Sequence, residues 1–187
     1  MKRYADGREL CSECSQHIIV TPENLQKVAQ WTLQQIDQLG FKFKHGSTVA
    51  TLISQEKMIS LRGNSNVQGF AENTVLIDMF NNSKHRDAHI QVVYGMPTAN
   101  LVWVLSHEIG HVLVSQQHYQ FATPAQEEGF CQLLALLVCQ RCKNPQMQKV
   151  MRKEWLNPDP VYGEEFRKAH HQLQQAGFQQ YFSAFLK

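Results

Sequence analysis

The chain has 187 residues, 43% of them hydrophobic and 18% charged, with a formal charge of +2. That balance suits a single globular domain over 1–187 with a sizeable core, and so small a charge argues against nucleic acid as a partner. No apolar run approaches the roughly 18 residues that span a membrane, and the basic start lacks the apolar stretch of a secretory signal.

Residues 1–20 are polar and carry Cys11-x-x-Cys14. Thr21 reads as an N-cap with Pro22 at the first helical position, and Leu25, Val28, Trp31 and Ile36 give that helix an apolar side that Gly40 stops. The stretch 47–62, "STVATLISQEKMISLR", holds two β-branched runs around a polar middle and predicts a hairpin. A loop over 63–73 follows, then strands at 74–80 and 89–95, separated by polar "NNSKHRD". Thr98 is placed to cap a long apolar helix to about Gln117, and "HYQFATPAQ" is a connection. Thr123, Pro124 and Gln126 start another helix with a T-x-x-Q capping box, and its apolar circumference predicts burial. Residues 144–160 are polar with three prolines, and 161–187 predict one or two amphipathic helices.

The chemistry concentrates in "SHEIGHVLVSQQHYQFATPAQEEGFCQ", residues 106–132. Residues four apart on a helix lie one turn along on nearly the same side, so His107 and His111 present two imidazoles to one point, with Glu108 beside them. This is the H-E-x-x-H pattern of zinc peptidases. Two imidazoles and a carboxylate in a buried helix are costly unless each is satisfied, and one metal ion would satisfy all three. A catalytic zinc takes three protein ligands and keeps a fourth position open. The next helix opens with Glu127, Glu128 and Gly129. Adjacent helical residues point about 100° apart, so one of the pair faces the metal. Glu128 is the expected ligand. Glu127 is then either a partner of a ligand histidine or a solvated carboxylate in the first turn. Gly110 costs about 1 kcal/mol inside a helix relative to alanine, which close approach of a second helix would offset.

These residues carry a resemblance. "YADGRELCSEC", "VVYGMP", "SHEIGH", "EEGFCQLLA" and "VYGEEFR" occur in the order seen in the C-terminal peptidase domain of the plant LIM-domain, ubiquitin-activated peptidases that limit organ size. "EGF" after an H-E-x-x-H helix also resembles gluzincin peptidases, in which a glutamate before glycine is the third zinc ligand. The resemblance implies a gluzincin-like α+β fold, with a small mixed or antiparallel sheet packed on the H-E-x-x-H helix and on the second, glutamate-bearing helix. It implies a zinc-dependent endopeptidase acting on protein or peptide substrates. His107, His111 and Glu128 would bind zinc, and Glu108 would be the general base. A link to ubiquitin follows from family resemblance alone, because the ubiquitin-interacting segments and intact LIM modules of the plant proteins do not occur in this sequence.

A tetrahedral oxyanion needs a donor besides the metal. The candidates are Tyr162, His118, Tyr119, His170 and His171, with Tyr162 ranked first because it lies in "VYGEEFR". The strand "HIQVVYG" is expected to edge the cleft and pair with an extended substrate. The five cysteines, an odd number, read as reduced thiols or metal ligands, which favours a cytoplasmic location. By resemblance, Cys11 and Cys14 are the remnant of a LIM-like zinc knuckle, and Cys139 and Cys142 could complete a second, structural zinc site with them. Cys131 reads as packing, with a cysteine peptidase as a minor reading. The alternative to an enzyme is a zinc-stabilised interaction domain without turnover, which would have no use for Glu108.

Overall fold

The computed structural model describes residues 1–43, 47–77 and 84–186. Short elements open the chain: β1 (Lys2–Arg3), β2 (Glu9–Leu10), α1 (Ser12–Ser15) and β3 (Ile18–Ile19). Helix α2 (Pro22–Gln38) is capped by Thr21, whose side chain accepts from the N–H of Asn24, and it buries Leu25, Ala29, Thr32 and Ile36. Gly40 follows at φ +99°, a left-handed turn that ends the helix.

The region 47–77 departs from expectation. In place of a hairpin over 47–62 stand a strand, β4 (Thr48–Ile53), and a helix, α3 (Gln55–Arg62). Ser54 turns the chain, its hydroxyl accepting from the N–H of Lys57, and Gly63 closes the helix in the left-handed region. The expected loop at 63–73 ends early, because β5 (Gly69–Ile77) already starts at Gly69. Positions 78–80 of the expected strand lie outside the described residues. The polar "NNSKHRD" is not all connection: β6 (Lys84–Val93) takes in its last four residues, while 81–83 are outside the described residues.

The resulting sheet is small and mixed, in the order β4-β6-β5. Strand β4 runs parallel to β6, from Thr48↔Ala88 to Ile53↔Val93, and β5 runs antiparallel to it, from Gly69↔Val92 to Ile77↔Lys84. The turn after β6 leads into β7 (Met96–Pro97), which pairs with β3, and then into α4 (Thr98–Gln117). Thr98 is the first helical residue rather than the cap. Its N–H and its hydroxyl both donate to the carbonyl of His17, at 2.8 and 2.9 Å.

Helix α4 is the centre of the fold. It packs against α2, β5 and β6 and most extensively against α5 (Pro124–Cys139). Leu101, Leu105, Ile109, Val112 and Leu113 are buried along it, as are Phe130, Leu133, Leu134 and Val138 on α5. Removing any one of these side chains would cost about 2–5 kcal/mol, so this pair of helices is the rigid part of the molecule. Thr123 caps α5, accepting from the N–H of Gln126. The Gln126 side chain accepts from the N–H of Ala122, one residue before the position a capping box requires. Polar 144–160 contains a helix, α6 (Met147–Trp155), with high amphipathicity and Met147 and Val150 buried. A single π-helical turn (Pro160–Glu164) leads into α7 (Glu165–Ala176) and then α8 (Phe178–Tyr181). No helix among the described residues is long and apolar enough to cross a membrane.

Candidate metal centre

The register of α4 against α5 builds the site. Buried Trp103 donates its Nε1–H to Gln132 Oε1 at 2.8 Å, a bond between the two helices. One turn further along α4 comes His107, and one turn back along α5 comes Glu128, so the same antiparallel register brings those two together. Gly110 allows the close approach: a Cβ there would sit 2.9 Å from Cys131 Sγ and 3.1 Å from Cys131 Cα.

His107 Nε2, His111 Nε2 and Glu128 Oε2 converge. The two imidazole nitrogens are 3.2 Å apart, and Glu128 Oε2 is 3.1 Å from the first and 3.5 Å from the second. A tetrahedral ion with bonds of about 2.0–2.1 Å holds its ligand atoms about 3.3 Å apart, so this triangle has the size of one face of such a shell. Glu128 Oε2 is buried and makes no hydrogen bond despite the nitrogens beside it. Two imidazole nitrogens and a carboxylate oxygen turned to one point are a donor set that suits a cation. Among the described residues this is the one group of three or more potential ligands that could hold a metal ion.

Around this triangle the charges are arranged to keep it. Glu127 Oε1 lies 2.8 Å from His111 Nδ1. Accepting the Nδ1 proton leaves Nε2 with its lone pair toward the cluster, the usual way a carboxylate orients a ligand histidine. Burial opposes ionisation of Glu128, but the imidazoles of His107 and His111 beside it outweigh it and bring its pKa to about 2. Burial holds the Glu108 carboxyl above the ordinary glutamate range, with His107 and His111 pulling the other way. Cys131 is fully buried beneath His111, and burial pushes its thiol up to about 11. A thiol held protonated is a packing group, not a nucleophile.

The cluster opens into a cleft of about 470 Å³ lined on one side by α4, α5 and Tyr162, and on the other by Arg62 and the strand β5. The substrate-pairing strand expected at 89–95 is instead β6, which is hydrogen-bonded on both sides and has no free edge. The strand on the cleft is β5. The N–H of Val93 donates to the carbonyl of Gln68 at 3.0 Å. The antiparallel alternation from that pair turns the N–H and C=O of Gly69, Ala71 and Asn73 toward the open edge. Gly69 is also where strand meets helix: a Cβ there would lie 3.2 Å from Glu108 Cγ and 3.3 Å from Glu108 Oε1.

Of the five candidate donors, Tyr162 and Tyr119 line the cleft. Tyr162 sits in the π-helical turn, its ring centroid 6.3 Å from that of His107. Its main-chain N–H is held by Asp159 at 2.9 Å. His118 ends α4 in the left-handed region, His170 packs its ring against Trp155, and His171 bonds to Gln175. Arg62 was not singled out from the sequence. Its only signal there is its place before Gly63, which looks like an ordinary helix end.

The four cysteines of the expected second site do not gather. Cys11 Sγ accepts from the N–H of Cys14 at 3.3 Å in the exposed α1 turn, where Lys149 pairs with Glu13. Cys139 is buried at the end of α5, and Cys142 is half-buried beyond it.

Fold and site together define an α+β protein with an open His-His-Glu cluster able to hold a metal ion. Residues 20–154 match the model of the DA1-like family, described as Protein DA1, and the chain belongs to that family. The match includes "VVYGMP", "SHEIGH" and "EEGFCQLLA" but not "VYGEEFR", which holds Tyr162. No curated protein and no solved structure gives a significant match.

Proposed function

We propose that this protein is a zinc-dependent endopeptidase. The observation that carries the reading is the triangle of His107, His111 and Glu128 atoms beside the buried carboxyl of Glu108. A zinc ion held there would supply Lewis acidity toward the attacking water and the scissile carbonyl. Glu108 takes the proton of that water and returns it to the leaving amine; its raised pKa suits a group that must both accept and donate. Tyr162 donates to the carbonyl oxygen as negative charge builds there. Burial and nearby Glu128 raise its pKa, which keeps the phenol protonated for that task. Gly69, Ala71 and Asn73 pair with the main chain of an extended peptide and lay the scissile bond across the site. Glu127 holds the His111 ring.

The test is metal content and cleavage of an unfolded protein such as casein, for wild type and Glu108→Gln. One zinc per chain in both, with cleavage by the wild type reduced about 100-fold or more in the variant, is the expected result. Equal cleavage by both would rule out the assigned base. Bound zinc without cleavage by either would leave an interaction domain.

A further inference from the structure

Among the described residues that line the cleft, Arg62 is the one lysine or arginine, against three carboxylates. It is exposed, and it makes no hydrogen bond or ion pair with any described residue. Its guanidinium carbon lies 4.9 Å from the centre of the Phe70 ring. Phe70 belongs to β5 and spends its own main-chain groups on β6, whereas its neighbours Gly69 and Ala71 present theirs to the open edge. The guanidinium is therefore stacked beside the backbone on which an extended peptide would lie, with its donors uncommitted. A cation in the last turn of α3 is favoured by the helix dipole, but that does not explain its seat on a ring in the wall of the cleft.

We propose that Arg62 is a specificity-determining residue that receives a carboxylate of the bound peptide, so that the cleft selects acidic peptides. This rests on the peptidase reading for its substrate class. A planar guanidinium takes a carboxylate through two parallel N–H···O bonds, and here it is the one such side chain among the described residues of the cleft. The carboxylate has two sources in a peptide, an Asp or Glu side chain and the C-terminus.

The test uses zinc-loaded Glu108→Gln, which binds without cutting, and the same protein carrying Arg62→Gln or Arg62→Glu. Each is immobilised and exposed to a random decapeptide library, made once with free and once with amidated C-termini, and the retained peptides are sequenced. Acidic residues enriched about fivefold to tenfold from both libraries identify the side chain as the source. Retention from the free-carboxylate library alone identifies the C-terminus. Either selection should vanish with Arg62→Gln and turn toward Lys and Arg with Arg62→Glu. Identical selection by all three proteins, or no retention by any, overturns the proposal. Casein cleavage by wild type is scored separately: Arg62-dependent retention without cleavage would end the peptidase reading and leave the carboxylate site standing.

Discussion

The wall of the cleft formed by α4 and α5 is buried and fixed by side chains, whereas the wall formed by β5 and α3 presents main chain and one exposed cation. On the first wall side chains set the geometry: Trp103 with Gln132 sets the helix register, Glu127 sets the His111 ring, and Gly110 against Cys131 sets the spacing. On the second wall the edge atoms of Gly69, Ala71 and Asn73 have no partner strand among the described residues. The difference teaches how such a site divides its labour. Under the proposed function, positions that would hold a metal to tenths of an ångström are placed in the core, and positions that would accept varied sequences are left as backbone, which every peptide can match.

Breaking the closed wall should have the larger effects. Glu127→Ala should weaken metal affinity about 10–100-fold, read by chelator competition, with little change in the fold, because it frees the His111 ring without removing a ligand. An unchanged affinity would mean that the ring is held by packing alone. Gln132→Leu strands the buried Trp103 N–H and should cost about 1–3 kcal/mol in chemical denaturation. A smaller loss would show that the hydrogen bond does not set the helix register. The open wall should respond more gently. Ala71→Pro removes an N–H that the sheet does not use, so the fold should stand while KM for an extended peptide rises about fivefold, the value of one hydrogen bond. An unchanged KM would remove β5 from substrate binding.

The two walls were also unequally legible in the sequence. The closed wall is written locally: His107 and His111 are four residues apart on one helix, and Thr123-Pro124 announces the next. Glu128 is the ligand expected from the sequence; the role of Glu127, open there between a partner of a ligand histidine and a solvated carboxylate, needs the structure, which places it on His111. The open wall depends on a longer-range pairing: Gly69, at the cleft end of β5, pairs with Val92, 23 residues on, which no local pattern records. Two β-branched runs suggested a hairpin, yet Ser54 with Glu56 behind it and Arg62-Gly63 at the end are helix signals that outweigh the isoleucine in α3. The start of β5 read as a loop because a strand fronting a cleft has few apolar residues to display. The small mixed sheet packed on α4 agrees with the α+β expectation, but α5 packs on α4 and α7 rather than on the sheet as expected.

Gly69 has a further consequence. With Val104 and Glu108 directly across from it, the distance between strand and helix is fixed by a methyl group that is missing. Any other residue there would wedge the two walls apart, so the width of the channel is encoded at one position by an omission. A scan of all substitutions along 68–73 would register this as a single intolerant site in an otherwise permissive segment, far from every ligand in the sequence.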